Sequence, residues 1–448
     1  CVTAFDAYVR PVIAHYIGEL QSRLRESSDS ISLQIMQSRG GITSAEMIQE
    51  KPVATVLSGP AAGVIGGRFI GERAGAPNVI TIDIGGTSSD VALIRHGEAL
   101  VSSDGKIGKY PLRQPMIDVN TIGAGGGSIA WIDAGGGLRV GPQSAGSNPG
   151  PACYGWGGTE ATVTDASTVL GYLNPHYFAG GELTLRPELA EEAIARNIAD
   201  PLGLSIPRAA AGIHRIVNAR MADQLRLVTV RRGHDPRHFT LIPLGGAGPV
   251  HAGRLAEQLG ITTVIIPPTP GVLSALGLLA ADIEHEHSAT FGQEAGSVDI
   301  EAMQRAFAAL DDVCRARMER DRVPMDKVSI RHSCEMRYVG QAYELEVPVK
   351  GNTITMDAIS DLVESFHQLH EEIYGHCNRT NRVEFVNLRS VHSFSLERPV
   401  LSSQTGALPS PESAVVAERS AYFDEFEDFV KVPVYRRDRL PVGHLIVG

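Results

Sequence analysis

The feature that most constrains this chain is the stretch VITIDIGGTSSDVALI at residues 79–94, where an apolar run stops at Asp83 and resumes after Asp90. Both runs are rich in β-branched residues, which favours two buried strands. The glycines, threonine and serines between them are typical of a tight turn. The stretch therefore predicts a β-hairpin with a carboxylate on each side of its turn.

The turn of this hairpin has the composition of a phosphate-binding loop. Gly85 and Gly86 lack a Cβ, so their backbone N–H groups can approach phosphate oxygens closely. Thr87 and Ser88 add hydroxyl donors. Phosphate would repel Asp83, so we expect Asp83 to act through Mg²⁺ or its water shell, or to orient an attacking nucleophile.

A simpler interpretation of the same residues is an ordinary hairpin closed by a type I′ or II′ turn, with Asp83 satisfied by hydrogen bonds. Two carboxylates beside one loop make sense if a divalent cation accompanies a bound nucleotide. In that case Asp90 would support the hairpin or the metal shell. The local pattern leaves both interpretations open.

A second glycine loop lies in FTLIPLGGAGPVHAGRLAEQLGI, residues 239–261. An apolar strand runs into Gly245, Gly246 and Ala247, and a helix then begins at Pro249, a residue suited to the first helical position. A helix N-terminus favours an anion or the polar edge of a ligand. Neither glycine loop matches a Walker A or a G-x-G-x-x-G motif, and a plain βα turn is the alternative here.

The bulk composition excludes several classes of protein. The net charge of −11 without a block of Lys or Arg argues against a nucleic-acid partner. We find no apolar run of membrane-spanning length and no signal-peptide pattern, so we expect a cytoplasmic protein without a membrane partner. The five cysteines are scattered and form no CxxC pair, which favours reduced thiols over disulfides or structural zinc.

Strand and helix patterns alternate as far as residue 285, which predicts an α/β fold with helices on the faces of a sheet. The remainder contains less glycine and predicts long helices at 300–320 and 355–376 between strands. We therefore divide the chain into an α/β domain at 1–285 and an α+β domain at 286–448.

Some residues outside the two glycine loops are weaker candidates for a site. Asp118 precedes NTIGAGGGS, a third glycine loop that could form part of a substrate or phosphate pocket or be only a turn. Cys153 has no base beside it in sequence and is more simply a buried packing residue. A histidine cluster could bind a metal or lie on a polar helix face; its members are His367, His370 and His376.

Two local patterns make further predictions. Thr43 and Glu46 have the spacing of a capping box at the start of a helix. The stretch RYVGQAYEL alternates like a strand, which would place Arg337, Gln341 and Tyr343 on one face.

The order of the motifs resembles the actin/sugar-kinase/heat-shock ATPase superfamily. SGPAAGVIGG resembles its first interdomain helix, DIGGTSSD its phosphate hairpin, LGGAGP its adenosine loop and PGVLSALGLLAA its second interdomain helix. The resemblance implies an actin-like ATPase domain in which Asp83 organises Mg²⁺, residues 85–88 hold phosphate, and Gly245, Gly246 and Ala247 border the adenosine of ATP. Asp90 and Asp118 would complete the catalytic set.

The longer motifs resemble the hydantoinase A/5-oxoprolinase family across the whole chain. The resemblance implies a hydrolase that uses ATP to phosphorylate a cyclic amide, namely hydantoin, N-methylhydantoin or 5-oxoproline, before ring opening. It also implies a B-type partner subunit or domain and a homo- or hetero-oligomer. The motifs that carry it are SGPAAGVIGG, TIDIGGTSSDVALI, DVNTIGAGGGSIAWIDAGGG, RRGHDPRHFTLIPLGGAGPVHAGRLAEQLGI and PPTPGVLSALGLLAADIEHE.

The sequence departs from the family pattern at its start, where an N-terminal lobe with a second phosphate hairpin is expected. We therefore expect a partial actin-like domain, a C-terminal domain cut at its end, and a chain inactive by itself. Two alternatives to the cyclic-amide hydrolase remain. One is the subunit of an ATP-dependent ketone carboxylase, and the other is a non-catalytic scaffold that switches with ATP.

Overall fold

The computed structural model describes residues 2–27, 32–102, 105–107, 110–112, 114–230, 232–351, 354–400, 411–440, 443 and 445–446. Its α-helices are α1 Val2–Ser27, α2 Ala45–Glu50, α3 Ser58–Arg73, α4 Val163–Val169, α5 Pro187–Ile194, α6 Asp200–Leu202, α7 Ile206–Val230, α8 Gly248–Leu259, α9 Leu273–Ala280, α10 Ile300–Arg320 and α11 Met356–Tyr374. Among the described helices, none combines the length and hydropathy needed to cross a bilayer.

The strands include many short pairs around the glycine-rich segments. They are β1 Gln34–Met36, β2 Ile42–Ser44, β3 Val79–Ile84, β4 Ser89–Arg95, β5 Glu98–Ala99, β6 Val101–Ser102, β7 Gly105–Ile107, β8 Tyr110–Leu112, β9 Met116–Ile117, β10 Asn120–Ile122, β11 Ser128–Ile132, β12 Leu138–Ser144, β13 Thr240–Leu244, β14 Ile283–Glu294, β15 Ser329–Tyr338, β16 Leu345–Pro348, β17 Val383–Phe394, β18 Val415–Phe423 and β19 Asp428–Tyr435.

A five-stranded sheet forms the centre of the N-terminal part, in the order β10-β4-β3-β13 with β5 paired to β4. Strands β3 and β4 are antiparallel and β13 is parallel to β3. Their side chains are buried on both faces by two clusters of apolar residues, which explains why the strands are continuous apolar runs. The predicted hairpin and the α/β class are confirmed.

Helices α3 and α9 cross on one side of this sheet with their backbones in close contact. A Cβ added at Gly277 would lie 1.8 Å from the carbonyl oxygen of Ala62, and one at Gly66 would lie 2.6 Å from the carbonyl oxygen of Leu273. Only glycine fits at such crossings because any larger side chain would separate the helices. The small residues of α3 therefore let the backbone of α9 approach closely.

A second, six-stranded sheet has the order β1-β2-β14-β17-β15-β16 and packs against α10 and α11. Helix α10 is capped at its start by Asp299, which accepts a hydrogen bond from the Ala302 N–H at 2.9 Å. Helix α11 ends at Gly375, whose φ of 75° stops the helix. The predicted boundary at 285/286 lies inside β14, and β1 and β2 come from the N-terminal part, so the division into domains stays a prediction.

Three local predictions differ from the structure. Helix α2 is capped by Ser44 without a side-chain hydrogen bond, so the capping box of Thr43 and Glu46 does not form. The apolar stretch TTVIIPP at 262–268 has the composition of a strand, which the sequence alone would predict, but it makes only an isolated bridge at Val264. The stretch RYVGQAYEL does not form one continuous strand. Strand β15 ends at Tyr338, because the chain turns at Gly340 with a φ of 91°.

Candidate functional site

The turn between β3 and β4 places two carboxylates opposite each other. Asp83 pairs with Asp90 across the antiparallel strands, and the Gly85 N–H donates to the Ser88 carbonyl at 3.0 Å. None of the residues 85–88, all of them described, has a positive φ. Type I′ and II′ turns require one. The interpretation as an ordinary hairpin with such a turn is therefore wrong.

The third glycine loop packs directly on this turn. The Gly126 N–H donates to the Gly85 carbonyl at 3.0 Å, and the Gly127 N–H donates to the Gly86 carbonyl. A Cβ at Gly125 would lie 2.7 Å from the Gly85 carbonyl oxygen, so the loop must be glycine to come this near. On this side of the turn, the carbonyl oxygens of Gly85 and Gly86 thus already accept hydrogen bonds from the third glycine loop.

The opposite side of the hairpin turn is open. Gly86 and Thr87 are exposed, and a Cβ at Gly86 would meet no atom within 4 Å. Within the described part of the chain, no backbone acceptor takes a hydrogen bond from the N–H of Gly86 or Thr87. These donors and the Thr87 and Ser88 hydroxyls can therefore bind an anion without breaking existing contacts.

The carboxylate of Asp83 is enclosed by two other elements. A Cβ at Gly245 would lie 2.3 Å from Asp83 Oδ1, and one at Gly63 of α3 would lie 3.7 Å from Asp83 Oδ2. Burial, and then the negative charge of Asp90, raise the pKa of Asp83. No side chain or backbone N–H of the described residues is seen to donate to this carboxylate, so it is free to bind a cation or a water.

The second glycine loop reaches the same edge of the sheet because β13 is parallel to β3. The Ala247 N–H donates to the Ile84 carbonyl at 3.1 Å, and the Gly245 N–H donates to the Pro270 carbonyl at 2.9 Å. Gly246 is exposed, and a Cβ there would meet no atom within 4 Å. The two loops therefore meet at one edge of the sheet beside Asp83, and we call this place the Asp83 cleft.

Asp118 lies away from this cleft. It is three residues before Thr121, which pairs with Asp90 in the register of β10 and β4. At about 3.3 Å per residue this separation is roughly 10 Å along the strand. The carboxylate of Asp118 forms an ion pair with Arg232, and its N–H donates to the Leu100 carbonyl. Its predicted catalytic role stays a prediction that this placement does not favour.

Sequence reasoning missed one contact of the site. The Thr121 hydroxyl donates to Asp90 Oδ1 at 2.6 Å and so fixes this carboxylate. Threonine in a short strand carries no local signal of this role. Only the register of β10 against β4 shows it.

The remaining candidate residues, Cys153 and the histidine cluster, are buried or hydrogen-bonded within the fold. Cys153 is fully buried, and burial followed by the charge of Asp165 raises the pKa of its thiol, as expected for a packing residue. His367 Nδ1 lies 2.8 Å from the Tyr338 hydroxyl, and His370 Nδ1 lies 2.7 Å from the His376 carbonyl. Across the described residues no group of three His, Cys, Asp or Glu side chains is arranged to hold a metal ion.

Two family models together match nearly the whole chain. The Hydantoinase/oxoprolinase model matches residues 1–287, and the Hydantoinase/oxoprolinase C-terminal domain model matches residues 291–448. The chain belongs to the hydantoinase/oxoprolinase family. The family predicted from the motifs is therefore confirmed.

Relatives in this family have several named activities. The chain is 37% identical to caprolactamase subunit alpha of Pseudomonas jessenii, over 100% of the chain and 64% of that protein. It is 31% identical to the acetophenone carboxylase gamma subunit of Aromatoleum aromaticum, over 99% of the chain and 62% of that protein. It is 30% identical to 5-oxoprolinase 1 of Arabidopsis thaliana, over 99% and 36%. The chain thus spans less than two thirds of these relatives.

Solved structures agree with this family. The ATP-dependent caprolactamase from Pseudomonas jessenii matches with a TM-score of 0.89 and 37% identity, over 100% of this chain and 65% of that one. Nucleotide-free acetone carboxylase matches with a TM-score of 0.77 and 28% identity, over 96% and 62%. The predicted actin-like order of small-residue helix, hairpin, glycine loop and second helix is present in the structure as α3, β3–β4, the 245–247 loop and α9.

Proposed function

We propose that this chain is the nucleotide-binding portion of an ATP-dependent enzyme subunit that activates a cyclic amide for ring opening. The observation that carries the proposal is the cleft at Asp83, where two glycine loops meet beside an unpaired carboxylate and the N–H groups of Gly86 and Thr87 have no backbone acceptor among the described residues. Family membership and the 37% identity to a caprolactamase subunit support the substrate class.

In this proposal the hairpin turn holds the phosphates of ATP. Gly86 and Thr87 are exposed, and their N–H groups and the hydroxyls of Thr87 and Ser88 suit phosphate oxygens. Gly245, Gly246 and Ala247 would border the adenosine, with the N-terminus of α8 behind them. The third glycine loop keeps the turn rigid from the opposite side.

The residues of the cleft fit a magnesium ion. Mg²⁺ is commonly held by one or two carboxylates together with water and substrate phosphates. Asp83 and Asp90 supply two carboxylates on paired strands, and their mutual repulsion contributes to the raised pKa of Asp83. When bound, the ion would neutralise charge on the phosphates. Asp83 would hold the ion or its water shell, and Asp90, fixed by Thr121, would hold the outer shell.

The proposed chemistry transfers the terminal phosphoryl group of ATP to the oxygen of the ring amide, with ADP as the leaving group. Water then adds to the activated carbon, and the ring C–N bond breaks so that the nitrogen leaves as the amine and an acyl phosphate remains. A second water hydrolyses the acyl phosphate, which releases phosphate and the ring-opened carboxylic acid. The role of this chain is to position the phosphates in line with the amide oxygen. Hydantoin, N-methylhydantoin, 5-oxoproline and larger lactams are the proposed substrates.

A ketone carboxylase is the second candidate. It is favoured by the TM-score of 0.77 to acetone carboxylase and by the 31% identity to an acetophenone carboxylase subunit. The same cleft would then support phosphorylation of a ketone or bicarbonate. Several relatives are named as subunits, so we also propose that the chain acts in a hetero-oligomer with a B-type partner.

The deciding experiment measures phosphate release by the full-length subunit purified with its B-type partner. Caprolactam, 5-oxoproline and hydantoin are tested one at a time, and acetone with bicarbonate is the comparison. Turnover that depends on a cyclic amide is expected. Turnover only with ketone and bicarbonate would replace the proposal by the second candidate. ATP-driven conformational change without turnover of any substrate would favour the scaffold.

A further inference from the structure

A cavity of about 350 Å³, lined by none of the residues of the Asp83 cleft, lies between α2, the turn after β1, strand β14 and α10. Its volume is within the usual range for small-molecule sites, roughly 300 to 1,000 Å³. We name it the α2–β14 cavity. Its lining includes Thr43, Lys51, Gln114, Glu286 and Arg317.

Two cations of the α2–β14 cavity are available to a ligand. Lys51 is exposed at one end, and Arg317 donates to the Glu286 carbonyl at 2.9 Å. Within the described chain, neither Lys51 nor Arg317 forms a salt bridge. The nearby Glu286 is already engaged by Arg39 and Arg389. Lys51 and Arg317 thus keep side-chain donors for a ligand, although the carboxylates of Glu284 and Glu286 also line the cavity and the charge of Lys51 helps to lower the pKa of Glu286.

Two buried polar atoms in the cavity wall also lack partners. Thr43 is 2% exposed and Gln114 is 9% exposed, and both line the cavity. Neither Thr43 Oγ1 nor Gln114 Oε1 has a hydrogen-bond partner among the described residues. Buried polar groups are almost always hydrogen-bonded, so these two point to a ligand that supplies an acceptor for the hydroxyl and a donor for the amide oxygen.

Part of the wall is apolar and is formed by Met47 and Ile48 of α2 together with Ala54 and Pro115. The other lining residues are polar or charged, namely Gln37, Arg39, Glu284, His285, His287 and Ser288. This arrangement suits a short aliphatic body with charged ends, since a few placed polar groups in an apolar pocket fix orientation.

We propose that the α2–β14 cavity binds a short aliphatic amino acid. Its carboxylate contacts Lys51, Arg317 and the Thr43 hydroxyl, and its ammonium group donates to Gln114 Oε1. Cation–carboxylate hydrogen bonds are the strong contacts of this set. The proposal rests on the cavity alone and does not depend on the ATP-dependent activity proposed above.

Isothermal titration of the chain with γ-aminobutyrate, butyrate and butylamine tests the proposal without nucleotide. We expect γ-aminobutyrate to bind with a Kd of about 1 mM or tighter. Butyrate should bind at least about fivefold more weakly because it cannot donate to Gln114, and butylamine should not bind. Equal binding of butyrate would overturn the amino-acid assignment, and no binding of any probe would overturn the site.

Variants locate the binding. Lys51→Met, Thr43→Val and Arg317→Met should each weaken γ-aminobutyrate binding about tenfold, whereas Arg317→Lys, which keeps the charge, should weaken it less. The matched control is Arg315→Met, on the same helix with a side chain 52% exposed and outside the cavity. Unchanged binding by both Lys51→Met and Arg317→Met would mean that the probe binds elsewhere.

Discussion

Gly245 and Asp83 are in such close contact that a Cβ on Gly245 would lie 2.3 Å from Asp83 Oδ1. Gly245 also has a φ of 77°, a conformation that side chains disfavour. The contact exists because β13 is parallel to β3, which sets the second glycine loop against the last residues of the first hairpin strand. The second glycine loop therefore fixes the position of the Asp83 carboxylate in the hairpin.

Gly245→Ala should displace the Asp83 carboxylate. We expect a loss of about 1–3 kcal/mol in the free energy of unfolding and a large loss of ATP turnover, since the added methyl group has no space. Gly246→Ala is the matched control for stability, because a Cβ there meets no atom within 4 Å. Urea unfolding and phosphate release are the measurements. Equal stability of the two variants would show that the Gly245 contact is not tight.

Asp83→Asn should separate activity from stability. The variant removes a half-buried charge that faces Asp90, so the free energy of unfolding at neutral pH should rise by about 0.5–1 kcal/mol. ATP turnover should fall at least about a hundredfold, because the cation would lose its ligand. Thermal unfolding and phosphate release measure the two effects. Retained turnover would refute the role assigned to Asp83.

Asp118→Asn is the comparison for Asp83→Asn, and it is expected to lower stability and to leave turnover nearly unchanged. It breaks the ion pair with Arg232, so stability should fall by about 1 kcal/mol. Turnover should stay within about threefold of the wild type, since Asp118 lies roughly 10 Å along the chain from Thr121, the residue that pairs with Asp90. A hundredfold loss of turnover would restore the catalytic role that the sequence predicts for Asp118.

Much of the site follows from local sequence. The β-branched runs around Asp83 and the glycines at 85–86 and 245–246 specify a hairpin and a βα turn through short-range backbone preferences. The crossing of α3 and α9 was also predictable, since runs of small residues allow close backbones. Each of these features involves neighbours along the chain or one simple steric rule.

The contacts that hold these features together depend on long-range pairing, which local patterns do not specify. The sequence does not show that Gly126 bonds to Gly85, or that Thr121 lies opposite Asp90. Likewise, β1 and β2 join a sheet made mostly of C-terminal strands, across a predicted boundary. In RYVGQAYEL, the alternation predicted a strand, but the positive φ of Gly340 turns the chain.

The crossing of α3 and α9 should be intolerant of any side chain at Gly277. A Cβ there would lie 1.8 Å from the Ala62 carbonyl oxygen, so Gly277→Ala should force the helices apart and cost about 1–3 kcal/mol. Gly271→Ala is the control, because it precedes the same helix and a Cβ there meets nothing within 4 Å. Urea unfolding compares them. If Gly277→Ala were as stable as Gly271→Ala, the close crossing would be absent in solution.

A buried histidine pair should make the chain sensitive to acid. His214 of α7 and His251 of α8 stack with ring centroids 4.5 Å apart, and Asn218 bonds to both rings. Burial, and then the charge of Arg254, lower the pKa of His214 to about 4 from its ordinary 6.5. Burial, and then His214, hold the pKa of His251 well below its ordinary value.

The folded chain keeps these imidazoles neutral, whereas the unfolded chain takes up protons near pH 6.5. Proton uptake therefore favours unfolding, and stability is fully present above about pH 6.5 and is lost as the pH falls towards about 4. For His214 alone the loss in the free energy of unfolding is about 2 kcal/mol at about pH 5.

His214→Gln should flatten the dependence of the unfolding free energy on pH between about 8 and 5, measured by urea titration. His15→Gln, at a side chain 77% exposed, is the control and should leave the slope unchanged. Parallel curves for the wild type and His214→Gln would show that His214 is not held neutral in the folded chain.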